Sequence, residues 1–97
     1  MTRRSLASPT PALCVTTRGG VGQDSVAAVE ASVAALREVA RRMGADVVGA
    51  PLRVEHAGAP DVVEVALPVR SLPDDDPPAP LAAEVLTPGT VVDDIDV

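Results

Sequence analysis

The sequence predicts an α+β fold: a strand-helix-strand-strand module whose antiparallel sheet is covered by one helix on one face, plus a C-terminal hairpin. Three observations support this class. A strong amphipathic helical pattern runs from Asp24 to Met43. Two strand-like runs follow it over residues 45–69, and two short apolar runs flank a turn signal near the C-terminus. At 97 residues, the chain is long enough for one domain with a modest core.

The region before the helix predicts a short lead-in and one strand. Residues 1–10 are expected to be a disordered lead-in to a domain over residues 11–97. Residues 12–17 are short, apolar and partly β-branched, which is typical of a strand. A glycine-rich turn follows over residues 18–22, and Asp24 is expected to cap the helix N-terminus.

The helical pattern is the clearest element of the chain. Apolar residues recur at spacings of three and four, which places them on one face. They are Val26, Val29, Val33, Leu36, Ala40 and Met43. Glu38 and Arg42 are spaced to form an ion pair on the exposed side. Gly44 is expected to end the helix.

The two strand-like runs that follow predict an antiparallel pair. The first covers residues 45–55 and is expected to bend near Gly49-Ala50-Pro51. In the second, over residues 61–69, apolar side chains alternate onto one face. Those side chains are Val63, Val65, Leu67 and Val69. The helix should cover this face, so Glu64 is expected on the opposite, open face.

The last third of the chain predicts a linker and a hairpin. Residues 71–80 are rich in proline and aspartate, which is incompatible with regular structure. Residues 81–86 and 90–97 then flank Thr87-Pro88-Gly89, a turn signal, and are expected to pair as a hairpin.

The composition excludes several classes of function. A net charge of −6 disfavours nucleic acid, because a phosphate backbone would be repelled. No apolar run approaches the length needed to cross a membrane, and the N-terminus lacks the apolar segment of a signal peptide. The single cysteine excludes an intrachain disulfide and fits a reducing compartment. We therefore expect a cytoplasmic protein that binds neither membranes nor nucleic acid.

Four side chains are candidates for a functional role. Glu64 could pair with a cationic ligand, or it could be a solvent-facing residue of a sheet with one wet face. Glu55 could form a second acidic wall or act as a general base, or it could be a surface carboxylate. His56 is interpreted as an exposed loop-edge residue. Cys14 is interpreted as a small core residue, because it is in the middle of a strand without an adjacent base. One histidine and one distant cysteine do not have metal-ligand spacing.

Several short motifs, in this order and spacing, resemble the GyrI-like small-molecule-binding domain. They are Arg18-Gly19-Gly20 before the helix, Gly49-Ala50-Pro51 with His56 soon after, the run from Glu64 to Val69, and the run from Leu86 to Val91. This domain is the effector-binding module of many bacterial transcription regulators. The resemblance implies a fold of two related modules with a ligand groove between them. This chain would carry the first module and the opening strands of the second, as a truncated form.

The resemblance implies a non-catalytic module that binds a small organic ligand, or the remnant of one. The missing half of the groove could be supplied by a second copy of the chain, as a homodimer, or by a partner chain. Two alternatives remain: a hydrolase of reactive small molecules that uses a groove carboxylate, and an interaction protein or gene fragment without a ligand. No cofactor, metal site or catalytic residue is expected. The candidate ligand-binding residues are Glu64, Glu55, Val21 and Arg53, and Val21 stands where the family usually has an aromatic residue.

Overall fold

A computed structural model describes residues 3–18, 26–56, 58 and 62–95. One helix, α1 (Val26–Met43), packs on a six-stranded antiparallel sheet. The strands are β1 (Arg3–Ser5), β2 (Thr10–Arg18), β3 (Leu52–Val54), β4 (Val62–Pro68), β5 (Leu81–Leu86) and β6 (Val91–Asp94). Their order in the sheet is β1-β6-β3-β4-β2-β5. The predicted α+β class, with a helix on one face of an antiparallel sheet, is confirmed.

The helix covers one face of the sheet through the apolar stripe that the sequence predicts. Val33, Leu36 and Ala40 are buried, and Val29 packs against them while remaining partly exposed. The sheet residues of this cluster are Leu13, Val15, Val63, Val65, Leu67 and Val69. The alternation in β4 therefore directs Val63, Val65 and Leu67 toward α1, as expected.

The end of α1 also follows the sequence. Gly44 has a φ of +70°, a conformation that glycine adopts at low cost, and Ala45 N donates to Ala40 O at 2.9 Å. Glu38 accepts from Arg42 Nε at 3.0 Å, which confirms the predicted pair, and also from Arg41. The predicted N-cap, Asp24, and the glycine-rich turn after Arg18 lie outside the described residues.

The N- and C-terminal strands form one long antiparallel ribbon with a bend in the middle. β1 pairs with β6, and β2 pairs with β5. The register runs through both ladders without a slip: in every pair, from Arg3 with Asp93 to Thr10 with Leu86, the residue numbers of the two partners have the same sum. The ladders are joined at the bend by Leu6, whose N donates to Thr90 O at 2.9 Å and whose O accepts from Gly89 N at 2.8 Å.

The bend in this ribbon has a local cause in each strand. Pro9 interrupts one strand and Pro88 the other, and proline supplies no N–H for a ladder hydrogen bond. Gly89 has a φ of +89°, in the region that favours glycine. Beyond the bend, β6 pairs with β3 on its other side. The sheet therefore curves back toward itself and acquires a concave face opposite α1.

Two sequence predictions are corrected by this ribbon. Within the expected disordered lead-in, β1 is paired with β6 and Leu6 is only 7% exposed. The predicted turn at residues 87–90 is present, since Thr90 N donates to Thr87 O at 3.2 Å. However, β5 and β6 do not pair with each other, so they are not a hairpin. Instead, β5 pairs with β2, and β6 pairs with β1 and β3.

The concave face holds a second apolar cluster. Its buried members come from the ribbon, β3 and β4. They are Leu6, Ala12, Cys14, Leu52, Val54, Ala66, Leu86 and Val92. The face expected to be open is therefore largely covered, because the bent ribbon brings Leu6, Leu86 and Val92 over it. Glu64 is the buried charged residue among these apolar neighbours.

The remaining connections lie at the edges of the sheet. Residues 45–51, expected to be a bent strand, form one isolated bridge between Val47 and Val69 before β3 begins. Residues 71–80 contain no helix or strand, as the proline and aspartate content predicts. Among the described residues, α1 is too polar to cross a membrane.

Candidate functional site

A cavity of about 610 Å³ opens where the ribbon bends. One wall comes from the ribbon on either side of its bend, including Leu86, Thr87 and Thr90. The opposite wall comes from the end of β3 and the residues after it. The curvature of the sheet thus creates a concave site on the face away from α1, of a size typical for small-molecule ligands.

Glu64 lies at the floor of this cavity. It is in the middle of β4, where alternation directs Val63 and Val65 toward α1 and Glu64 into the concave face. Glu64 is only 5% exposed. The alternative of a solvent-facing strand residue is therefore wrong: the carboxyl group is buried and faces a cavity.

His56 holds the Glu64 carboxyl group. His56 Nε2 lies 2.6 Å from Glu64 Oε1, while the His56 side chain is 35% exposed. The pairing of β3 with β4 explains this contact. Val54 is the register partner of Glu64, and His56 follows Val54 by two residues on the same face. His56 follows β3 at a loop edge, as expected, but it is half-buried rather than exposed, because it lines the cavity and contacts Glu64.

Cys14 and Glu84 approach Glu64 from the neighbouring strands. Cys14 Sγ, one Glu64 oxygen and one Glu84 oxygen all lie within 4.8 Å of one another. Cys14 is buried, at 1% exposure, which agrees with its interpretation as a small core residue. Glu84 is on the exposed edge strand β5 and lines the cavity. Three strands therefore bring a thiol and two carboxyl groups to one point.

The surroundings of this cluster favour protonated side chains. Burial raises the pKa of Glu64, the nearby Glu84 carboxyl group adds to that increase, and His56 opposes it. Burial also raises the pKa of the Cys14 thiol, and the Glu64 and Glu84 carboxyl groups raise it further. The Cys14 thiol therefore remains protonated.

The other predicted ligand-binding residues have different positions. Glu55 lines the cavity, but it is exposed and its carboxylate forms an ion pair with Arg3 at 2.7 Å. It is a rim residue rather than a second buried acid. Arg53 is the register partner of Val65 and Asp93, so it lies on the face opposite Glu64 and away from the cavity. Val21 lies outside the described residues.

Two residues of the site could be recognised only through the strand register. The chain places Cys14 and Glu84 seventy positions apart, and their proximity depends on the pairing of β2 with β5. His56 carried a usable signal, since its two-residue spacing from Val54 places both on one face of β3. That signal becomes informative only when Val54 is known to oppose Glu64.

The arrangement can neutralise a positively charged group at the floor of a small cavity. It also presents a carboxyl group hydrogen-bonded to an imidazole, which is a geometry suited to proton transfer. Comparison of the chain with models of known protein families, with curated proteins and with solved structures finds no match.

Proposed function

We propose that this protein is a non-catalytic module that binds a small organic cation. The single observation that carries the proposal is the burial of Glu64 at the floor of a cavity of about 610 Å³. A carboxyl group withdrawn from water is costly unless a partner compensates it. A ligand cation supplies that compensation, and its binding would favour the ionised form of Glu64.

The carboxyl group of Glu84 narrows the class of ligand to cations with several N–H donors. Glu84 lies beside Glu64, and Glu55 stands at the rim of the same cavity. The chain contains no Phe, Tyr or Trp, so a cation cannot be held on an aromatic face. A planar cation with several N–H donors, such as an amidinium or guanidinium group, suits two adjacent carboxyl groups through charge-assisted hydrogen bonds.

The GyrI-like resemblance of the sequence motifs supports the same class of function. In that interpretation the chain binds its ligand as a homodimer, with a second copy contributing to the groove. The edge strand β5 offers a surface for such pairing, because edge strands present unpaired backbone groups. We place this dimer in the cytoplasm, where the single thiol of Cys14 would remain reduced.

A second candidate function is hydrolysis of a reactive small molecule. The 2.6 Å contact between His56 Nε2 and Glu64 Oε1 favours it, because a paired carboxylate and imidazole can activate a water molecule. In this alternative Glu64 or His56 removes the proton of the attacking water. Binding without turnover separates the first candidate from the second.

Isothermal titration calorimetry with benzamidinium and benzamide tests the binding proposal. The two probes share size and ring but differ in charge, so the wild-type protein should bind benzamidinium and not benzamide. Glu64→Gln should abolish this preference, while Glu30→Gln, an exposed substitution on α1, should retain it. Equal binding of both probes, or binding that survives Glu64→Gln, would contradict a site built on this carboxyl group.

A further inference from the structure

We propose that Cys14, Glu64 and Glu84 also bind a divalent transition metal ion of the zinc class at the floor of the cavity. Thiolate sulfur and carboxylate oxygen are both ordinary zinc ligands, and open zinc sites use three protein ligands plus water. The three donors already lie within 4.8 Å of one another. This inference goes beyond organic-cation binding, because it uses the thiol and requires no organic ligand.

The sheet register explains why the donors converge. Cys14 is on β2, and its row of the sheet is continued by Ala66 on one side and Ala82 on the other. Both neighbours are small. On β4, Glu64 is two residues from Ala66 and so lies on the same face. On β5, Glu84 is two residues from Ala82 and also lies on that face, but it is displaced in the opposite direction along β2. The two glutamates therefore flank Cys14 diagonally and can reach over it.

The separations are close to those of a closed site. With zinc–ligand bonds of about 2.0–2.3 Å, tetrahedral geometry places ligand atoms roughly 3.3–3.8 Å apart. Because all three donors lie within 4.8 Å of one another, no pair needs to approach by more than about 1.5 Å. Glu84, on the exposed edge strand, can supply part of this movement by a small side-chain rotation. The cavity provides space for a water molecule at the fourth position.

The chemistry of the donor set points to a cation independently of its geometry. The cluster contains sulfur as well as oxygen, and Cys14 is only 1% exposed beside two carboxyl groups. Metal binding would displace the Cys14 thiol proton into solvent. The thiolate and carboxylates would then donate their electron pairs to the metal, without any change in oxidation state.

His56 would act as a positioning residue. Its Nε2 contacts Glu64 Oε1 at 2.6 Å, which leaves the other carboxyl oxygen for the metal. A hydrogen bond of this kind fixes the orientation of a metal-ligating side chain. Thus β4 supplies the ligand Glu64, and His56, which follows the neighbouring strand β3, fixes its orientation.

Titration with Co²⁺, a coloured substitute for zinc, tests the site in the intact protein. Wild-type protein should develop a thiolate-to-cobalt charge-transfer absorption, which added Zn²⁺ removes. Cys14→Ser should abolish this band, and Glu84→Gln should weaken cobalt binding by about tenfold or more. Glu30→Gln, on the exposed side of α1, should leave the band unchanged.

The proposal is overturned if wild-type protein gives no charge-transfer band, or if Glu84→Gln binds cobalt as tightly as wild type. Glu84 is exposed on an edge strand, so this variant decides the question even if Cys14→Ser fails to fold. Organic-cation binding is tested separately, because benzamidinium needs no thiol. Loss of the cobalt band with retained benzamidinium binding would remove only the metal site.

Discussion

Replacement of Glu64 by Gln should stabilise the protein at neutral pH. Glu64 is 5% exposed, and the Glu84 carboxyl group beside it repels its ionised form. Glutamine keeps the shape of the side chain and can still accept from His56, and its amide can donate to Glu84. Because His56 is 35% exposed, water can solvate it, and no buried charge is left without a partner.

The expected gain in the free energy of unfolding follows from the changed contact between residue 64 and Glu84. A repulsive contact between two acids becomes an amide-to-carboxylate hydrogen bond, and hydrogen bonds to charged groups contribute about 1.5–3 kcal/mol. Part of this gain is offset by ordering of the exposed Glu84 side chain. We therefore expect the free energy of unfolding at pH 7 to rise by about 1–2 kcal/mol. For a domain of this size, that corresponds to a rise in Tm of roughly 4–16 °C.

The pH dependence provides an internal control. The pKa of Glu64 is raised in the folded state, so the folded protein retains a proton that the unfolded chain releases above a pH of about 4.3. The Glu64 contribution is therefore most favourable at low pH and is lost as pH rises toward the folded-state pKa. Urea denaturation of wild type and Glu64→Gln between pH 4 and pH 8 should show a difference that grows with pH. A Glu64→Gln protein that is less stable than wild type at pH 7 would refute this reasoning.

Two further predictions concern the core. Leu36→Ala should lower the free energy of unfolding by about 2–5 kcal/mol, because Leu36 is fully buried between α1 and the sheet. Val48→Ala, at a residue that is 51% exposed, should change it by no more than about 0.5 kcal/mol, and equal losses in urea denaturation would contradict the packing described. Cys14 should react slowly with iodoacetamide in the folded protein and rapidly in urea, because burial and the two neighbouring glutamates keep its thiol protonated. The reaction is monitored by mass spectrometry. Rapid alkylation of Cys14 in the folded protein would contradict the burial of this side chain.

The helix and the central strand could be predicted because each carries its own periodicity. The three- and four-residue spacing of Val33, Leu36 and Ala40 identifies the buried face of α1. Alternation in β4 separates Val63 and Val65 from Glu64. These patterns are local, so the side of the sheet that α1 covers follows from the sequence.

The bent ribbon could not be predicted in the same way. β1 is three polar residues long and shows no apolar alternation, and its partner β6 lies about ninety positions away in the chain. The turn at Thr87-Pro88-Gly89 is typical of a hairpin, but here β5 and β6 pair with other strands on either side of it. Non-local pairing decided this part of the fold.

The candidate site was only partly predictable for the same reason. Alternation alone placed Glu64 on the face opposite α1, which is confirmed. Its burial depends on the ribbon, which carries Leu6 and Leu86 over that face. The approach of Cys14 and Glu84 depends on the register of three strands. Without these pairings, Arg53 and His56 could not be assigned to their correct sides of the sheet.

The most direct measurement of the central claim is an NMR titration of the glutamate side-chain carboxyl carbons, with and without benzamidinium. We expect Glu64 to titrate above the ordinary glutamate value of about 4.3 in the free protein. Benzamidinium should lower that midpoint, because the bound cation favours the ionised carboxylate. A Glu64 that titrates at or below the ordinary value, with the same midpoint in the presence of benzamidinium, would contradict a buried carboxyl group that binds cations.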